Sequence, residues 1–317
     1  MPEARPHNHP RPGTDEYIEH VREEIEHYGR IYESEDAREI LMQPVPNAWT
    51  ELELRASALI KETTGNDLLG QLIDRLRGHE NSRMLSLGSG PGGVEIEVAQ
   101  SVPATEVVCM DINPDLLELG RQRAEERSVA MQFLPTDLNT VILPPKAFDV
   151  VFCHAALHHV IELEALADQI GRTLRPGGVL ITVDVITQNG YLMWPETRKV
   201  VQALWKTLPV RYRLNHTAYT APLIDDDIWE ADTSTSGMEC ARSEDILPVI
   251  DSRFVTHQFV PYFSISRRFF DTMYGPNYNM ANPLDKAIFE LIWQLDRYYL
   301  ETQRLQPETF FGIYGVE

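Results

Sequence analysis

The sequence has few cysteines, and it has no long apolar run. Its three cysteines, Cys109, Cys153 and Cys240, are widely spaced and odd in number, which argues against a disulfide framework and against a zinc-binding pattern. No apolar run is long enough to span a membrane, and the first residues lack the apolar core of a signal peptide. We therefore expect a cytoplasmic protein with reduced thiols, with no metal site and with no attachment to membranes.

Positive charge is also scarce. Lys and Arg number 28 against 48 Asp and Glu, so the formal net charge is −20 at pH 7. Such a chain repels phosphate backbones, and no cluster of Lys and Arg offers a basic groove. We expect no nucleic-acid partner. At 317 residues and 43% hydrophobic composition, the chain can bury the core of one catalytic domain with additions.

A glycine-rich turn is the most informative feature that is present. Residues 83–88 have the composition of a buried strand, and Gly88, Gly90 and Gly93 then formally satisfy G-x-G-x-x-G before a helical segment. Asp111 ends a second apolar run about 20 residues later, where a carboxylate can accept both ribose hydroxyls. The pattern predicts an adenosine-containing cofactor and leaves NAD open.

The order of the segments predicts an α/β fold. Residues 83–185 alternate between strand and helix patterns, which is typical of a parallel sheet with helices on both faces. A further strand, a long helix and a last hydrophobic strand are predicted near 254–263, 284–298 and 310–316. The strands of the alternating part are predicted at 83–88, 105–111, 130–135, 148–153 and 178–185, and its helices at 92–101, 114–127 and 162–174.

The chain divides into five predicted parts. These are a disordered tail at 1–14, a helical cap at 15–80, a cofactor-binding core at 81–185, a substrate-shaping insertion at 186–246, and the end of the core sheet with a helical segment at 247–317. In the cap, Tyr28 and Tyr32 lie four residues apart and either close over the cofactor or pack in a core. The helical segment near 264–305 is a candidate pocket wall or homodimer surface.

Three later motifs identify the cofactor class by resemblance. Thr136-Asp137-Leu138 follows the third strand, a loop with His154, His158 and His159 follows the fourth, and Leu174-Arg175-Pro176-Gly177-Gly178 precedes the fifth. Together with the glycine turn and Asp111, they resemble the class I S-adenosylmethionine-dependent methyltransferases. The resemblance implies S-adenosyl-L-methionine as cofactor. It also implies a Rossmann-like, doubly wound sheet of seven strands, the last antiparallel, with an N-terminal helical cap and an insertion after the fifth strand.

The resemblance also implies a set of cofactor contacts. They are Gly88, Ser89, Gly90 and Gly92 under the methionine part, Asp111 on the ribose hydroxyls, Ile112, Asp137 and Leu138 at the adenine, and Cys153 and His154 near the sulfonium. One position departs from the family, which often carries an acidic residue where this chain has Ser86. That departure leaves the binding of the methionine amino group open.

Methyl transfer from a sulfonium is an in-line displacement, so alignment and exclusion of water supply most of the catalysis. An oxygen nucleophile often needs a base as well, for which a histidine is suited at neutral pH. His154, His158 and His159 are the candidates, and a packing or capping role is the alternative for each. We favour His158, because it falls on the loop expected to face the substrate.

The motifs that are missing restrict the acceptor. The fourth strand ends without the Asn/Asp-Pro-Pro-Tyr/Phe element of enzymes that methylate amino groups of bases or of glutamine, and no Pro-Cys pair is present for attack on cytosine. We expect a methyltransferase that acts on a small-molecule acceptor. The alternatives are a protein methyltransferase, which needs an open groove, and a non-catalytic S-adenosylmethionine-binding protein. An NAD oxidoreductase has only the glycine pattern in its favour. Arg242 either holds an anionic substrate group or forms a plain salt bridge.

Overall fold

The computed structural model describes residues 9–33, 47–77, 81–216, 223–234 and 238–316, apart from the side chains of residues 28 and 30–33. Its helices are α1 (Asp15–Glu33), α2 (Ala48–Thr64), α3 (Leu68–Leu76), α4 (Gly93–Ser101), α5 (Pro114–Glu126), α6 (Leu163–Thr173), α7 (Pro195–Trp205), α8 (Ile246–Asp251), α9 (Ser266–Phe270) and α10 (Pro283–Glu301). Its strands are β1 (Arg83–Leu87), β2 (Glu106–Asp111), β3 (Gln132–Pro135), β4 (Phe148–His154), β5 (Leu174–Val185), β6 (Leu214–Asn215), β7 (Leu223–Ile224), β8 (Val255–Tyr262) and β9 (Thr309–Gly315).

One sheet of seven strands, in the order β3-β2-β1-β4-β5-β9-β8, forms the centre of the molecule. Strands β1 to β5 pair in parallel, whereas β9 is antiparallel to both β5 and β8. The predicted Rossmann-like sheet with an antiparallel last strand is confirmed. Strand order reverses between β1 and β4, and in open α/β sheets the crevice at that point is where ligands bind.

Alternating side chains cover both faces of the sheet. On β1, Met84 is buried in one hydrophobic cluster and Leu85 in another. On β4, Phe152 belongs to the first cluster and Cys153 to the second. Each face therefore has its own core beneath a layer of helices, which is the doubly wound arrangement.

The predicted strand and helix positions in the core agree with the structure to within two residues, except at the start of the fifth strand. Strand β5 begins at Leu174, and its register against β4 shifts between the Phe148–Leu174 and Val150–Val179 pairs. The Pro176-Gly177-Gly178 stretch, predicted as a turn before the strand, is thus an irregularity inside it. Gly177 has a φ of +79°, a conformation that glycine adopts without strain.

The helices before β1 take two different positions. Helix α2 packs on α9 and β8, and α3 packs on α4 and β4, so both cover the sheet. Helix α1 lies apart from them and contributes Glu24 and Ile25 to the pocket described below. The predicted domain boundaries stay a prediction.

Several other predictions concern parts of the chain outside this description. These are residues 1–8 of the predicted tail and the side chains of Tyr28 and Tyr32. In the described part of the chain, no helix is both long enough and apolar enough to cross a membrane.

Candidate active site

A pocket of about 380 Å³ opens at the carboxyl edge of the sheet, where the strand order reverses between β1 and β4. Its walls come from α1, the glycine turn, the loops after β2, β3 and β4, residues 238–239 and α9. Most of the predicted site residues line it, namely Gly88, Ser89, Gly90, Asp111, Ile112, Asp137, Leu138, His154 and His158. Residues far apart in the sequence are therefore brought to one cavity, as the five motifs predicted.

Two of the predicted cofactor residues do not line the pocket. Gly92 precedes α4 with a φ of +67°, and a Cβ built on it would lie 3.4 Å from the ring of Phe133. Cys153 is fully buried in the core, because strand alternation turns its side chain to one face of the sheet. His154, the next residue, does line the pocket, and the expectation that Cys153 lies near the sulfonium stays a prediction.

Asp111 is tied to the glycine turn. One carboxylate oxygen accepts a hydrogen bond of 2.8 Å from the backbone N–H of Gly90, and the other accepts one of 2.8 Å from Asn113. Burial raises the pKa of Asp111, and these two hydrogen bonds partly offset that effect. A carboxylate has about four acceptor positions, so two remain for ribose hydroxyls.

The turn itself allows close approach only because of its glycines. Gly88 has a φ of +67°, and a Cβ there would lie 2.5 Å from Cβ of Ala156. Gly90 has a φ of +52°, and the space around it is open. A side chain at the first position would collide with the loop after β4, whereas the second leaves the backbone exposed to a ligand.

A buried carboxyl group lies beneath the turn, at the point where the sequence departs from the family. Ser86 donates a hydrogen bond of 2.5 Å to Glu95 on α4, and Glu95 is only 4% exposed. Burial raises the pKa of Glu95. The serine at this position of β1 is therefore bonded to an acidic residue of the following helix. Sequence reasoning missed it, although a glutamate among the apolar positions of α4 was a signal.

Asp137 connects the pocket to α1. Its Oδ2 atom accepts a hydrogen bond of 2.7 Å from the Tyr17 hydroxyl, and its Oδ1 atom accepts one of 2.8 Å from the backbone of Asn139. Tyr17 is 3% exposed, and burial, followed by the bond to Asp137, raises the pKa of its hydroxyl.

His158 lies in a short 3₁₀ helix, Leu157–His159, and is held by a buried carboxylate. Its Nδ1 atom is 2.6 Å from Oδ1 of Asp184, whose Oδ2 atom accepts backbone N–H bonds from Ala156 and Leu157. Burial alone would raise the pKa of Asp184, but His158 and these hydrogen bonds lower it overall. Asp184 was missed as well, although an aspartate inside an apolar strand was a usable signal.

His159 belongs to a second ionic group, which also includes Glu24 of α1. Nδ1 of His159 is 2.7 Å from Oε1 of Glu24, and Nε2 of His159 is 3.6 Å from Oε2 of Glu239. Burial opposes the charged ring, but Glu24 and Glu239 outweigh it and raise the pKa of His159 to about 9. The reciprocal effect lowers the pKa of Glu239 to about 2, against the effect of its burial. The pair joins α1 to the loop after β4.

Glu239 also approaches His158 and Cys240. Its Oε1 atom lies 3.7 Å from Nε2 of His158 and accepts a contact of 3.4 Å from the Cys240 thiol. Potential ligand atoms of these three residues lie within 4.8 Å of one another. The prediction that no metal is bound stays a prediction.

His154 lies at the end of β4, where it is exposed and lines the pocket. Its ring forms no hydrogen bond with the residues that the structure describes. Desolvation by the pocket walls lowers the pKa of His154, Asp184 opposes the shift, and Arg267 adds to it.

Arg242 forms a salt bridge, the second of the two roles predicted for it. It bonds both oxygens of Glu164 at 2.7 Å and Asp245 at 2.9 Å. These bonds occupy its guanidinium at a distance from the pocket lining. The arginine that does line the pocket is Arg267, which no sequence signal indicated.

Comparison with known proteins agrees with this geometry. Residues 85–182 match a family model described as a methyltransferase domain. The demethylmenaquinone methyltransferase of Thermus thermophilus is 30% identical over 102 residues, which are 32% of this chain and 46% of that protein. The ubiquinone/menaquinone biosynthesis C-methyltransferase UbiE of Stutzerimonas stutzeri is 28% identical over 185 residues, which are 54% of this chain and 68% of that protein.

A solved structure shows a weaker likeness. The geranyl diphosphate C-methyltransferase of Streptomyces coelicolor A3(2) superposes with a TM-score of 0.48 at 12% identity, covering 78% of this chain and 75% of that one. The chain spans about half the length of the first curated relatives that it matches, at 46% and 44%. The glycine turn, Asp111 and Asp137 all fall on or beside the methyltransferase match. Residues 85–182 of the chain therefore match a methyltransferase domain, and over this part the chain is similar to S-adenosylmethionine-dependent methyltransferases.

Proposed function

We propose that this protein transfers a methyl group from S-adenosylmethionine to a small-molecule acceptor. The observation that carries the proposal is the closure of the pocket by α1. Tyr17 and Glu24 bond to Asp137 and His159 across the cavity, so this wall is a helix and not an open groove. A peptide acceptor needs such a groove, whereas a small molecule is enclosed.

The residues of the pocket fit the cofactor. The open space around Gly90, with Asp111 beside it, suits a ribose, and Asp137 with Leu138 suits an adenine edge. The bound cofactor supplies an electrophilic methyl group on a sulfonium. The protein then has to exclude water, which α1 does, and to orient the acceptor toward that group.

We assign different roles to the two proposed catalytic histidines. Both ring nitrogens of His158 face carboxylates, with Asp184 at 2.6 Å and Glu239 at 3.7 Å, so we treat it as a positioning residue. His154 has a lowered pKa and a ring open to the pocket, so it is neutral at pH 7 and able to take a proton. If the acceptor atom is an oxygen that carries a proton, His154 is the base that takes this proton.

We also infer the setting of the reaction. Cys109, Cys153 and Cys240 are free and buried, which suits a reducing compartment such as the cytoplasm. The net charge of −20 disfavours nucleic acid as the acceptor. The outer side of α10, with Leu284 and Leu291 about 60% exposed, is our candidate surface for a homodimer.

Calorimetric titration tests the proposal. The protein is titrated with S-adenosylhomocysteine and, separately, with NADH. Micromolar binding of the first alone supports the proposal, and a screen of small-molecule acceptors with methyl-labelled S-adenosylmethionine then looks for transfer. Binding of NADH alone would contradict it and leave the fold unaffected. Binding of S-adenosylhomocysteine with transfer only to peptides would replace the small molecule with a protein.

A further inference from the structure

Arg267 lines the pocket from helix α9. Helix α9 follows β8 directly, so it begins at the carboxyl edge of the sheet, and Arg267 is its second residue. Its side chain lines the same cavity as His154. The two are close enough that the positive charge of Arg267 contributes to the lowered pKa of His154.

The guanidinium of Arg267 has few hydrogen-bond partners among the described residues. Its Nη1 atom donates one long hydrogen bond, 3.4 Å, to Oγ1 of Thr309. Its Nε atom is buried and has no hydrogen-bond partner among the described residues. A guanidinium carries five N–H donors, so most of its capacity is unused.

The contrast with neighbouring arginines is informative. Arg268, the next residue, bonds Glu308 at 2.7 Å, and both are almost fully buried. Arg242 bonds Glu164 and Asp245. In the described parts of the chain, no carboxylate lies within 4 Å of Arg267. An inward cation without a carboxylate is unusual in a chain with an excess of 20 negative charges.

Several groups surround Arg267 without contacting it closely. Its Cζ atom lies 5.8 Å from the centre of the Tyr191 ring. Glu53 and Asp271 act on its charge from a longer distance, as does Glu239. These groups help to keep the guanidinium charged, but they do not use its N–H donors. Buried charges are normally paired, and the planar donor fork of arginine matches a carboxylate in two-point geometry.

Resting on the proposed function, we propose that Arg267 binds an anionic group of the acceptor, of the carboxylate class, on the side of the pocket where His154 lies. The acceptor is then an organic acid whose anion is paired by Arg267 and whose nucleophilic atom faces His154. A cationic acceptor would be repelled from the same wall. The proposed substrates are therefore organic acids, a narrower class than small molecules in general.

The test uses benzoate and its neutral counterpart benzamide as probes, titrated into the full-length protein with and without S-adenosylhomocysteine. We compare the wild type with Arg267→Gln, Arg267→Lys and Arg297→Gln. The last variant is the matched charge control, because Arg297 pairs with Glu301 on α10. Wild type should bind benzoate at least about tenfold more tightly than benzamide, because only the anion forms a charge-assisted pair. Arg267→Gln should remove that preference, Arg267→Lys should keep part of it, and Arg297→Gln should keep it in full.

A second source of carboxylate is the amino-acid part of the cofactor. The affinities of S-adenosylhomocysteine and of 5′-methylthioadenosine, which lacks that part, separate the two. The ratio to compare is the affinity for S-adenosylhomocysteine divided by the affinity for 5′-methylthioadenosine. If Arg267→Gln lowers this ratio by about tenfold or more, Arg267 binds the carboxylate of the cofactor, and the proposal is overturned. Equal binding of benzoate and benzamide by the wild type overturns it without any variant. Benzoate preference without S-adenosylhomocysteine binding would support a carboxylate site at Arg267 and contradict the proposed function.

Discussion

The hydroxyl of Tyr17 donates a hydrogen bond of 2.7 Å to the carboxylate of Asp137, joining the first helix to the loop after the third strand. Two other contacts strengthen this attachment of α1. Glu24 pairs with His159 at 2.7 Å, and the side-chain amide of Asn113 donates to the backbone carbonyl of Ile25 at 3.3 Å. The helix is therefore attached by polar contacts to three residues that line the pocket, and Tyr17 and Val21 of the helix also pack in an apolar cluster.

The first prediction concerns this attachment. Tyr17→Phe should speed the dissociation of S-adenosylhomocysteine by about 10-fold, because a hydrogen bond to a charged group contributes roughly 1.5–3 kcal/mol. Stopped-flow dissociation measures the rate, and hydrogen exchange of the α1 amides should rise in parallel. Tyr298→Phe, at an exposed position of α10, is the control. An unchanged dissociation rate in Tyr17→Phe would show that α1 does not hold the cofactor.

The second prediction concerns the ribose contact. Asp111→Ala should weaken binding of S-adenosylhomocysteine by about 10- to 100-fold, since a charged two-point hydrogen bond is lost. Calorimetric titration measures the affinity. Asp115→Asn serves as the control, because Asp115 is exposed in the first turn of α5 and does not line the pocket. Equal affinities for the two variants would refute the assignment of Asp111.

The third prediction follows from the pKa of His159, which the structure raises to about 9 from an ordinary 6.5. The charged ring stabilises the fold fully below pH 6.5, and this contribution is lost as the pH rises through about 9. His159→Gln should therefore be less stable than the wild type at pH 6, by about 3 kcal/mol at most, and the gap should close by about pH 10. Urea unfolding at several pH values measures it, with the exposed His257→Gln as control. A gap that does not change with pH would contradict the ion pair.

The fourth prediction separates the two histidines. The proton of His154 should titrate below pH 6.5 in an NMR titration of the imidazole signals, because desolvation and Arg267 favour its neutral form. With an oxygen acceptor, His154→Gln should reduce kcat by about 10²- to 10⁴-fold and remove the acidic limb of the pH–rate profile. His158→Gln should retain that limb. If His158→Gln removes the limb and His154→Gln does not, the assignment is reversed.

Much of the fold followed from local sequence. Asn113 and Pro114 predicted the start of α5, and the Asn113 side chain does accept hydrogen bonds from the first turn of that helix. Glycine turns, caps and apolar periodicity are short-range signals, so the strands and helices of 83–185 lie where they were predicted. The position of Asp111 at the end of β2 followed in the same way.

The missed parts of the site depend on contacts between distant segments. Arg267 and Thr309 meet because β8 and β9 end and begin at the same edge, a relationship that no spacing reveals. Glu239 meets His159 through a loop whose path was not predictable. The side chain of Cys153 lies in the core and not in the pocket lining, because strand alternation decides which face a side chain takes.

The position of β9 in the sheet has a consequence for how the chain is made. The strand lies between β5 and β8. Its residue Thr309 pairs with Val185 of β5 on one side and with Tyr262 of β8 on the other. When a ribosome has synthesised the chain as far as β8 but not yet β9, strand β8 has no partner in the sheet, and β5 has an unpaired edge. Exposed strand edges promote association between chains. During synthesis, the interval between β8 and β9 is thus a period in which unpaired strand edges leave the growing chain open to association with other chains.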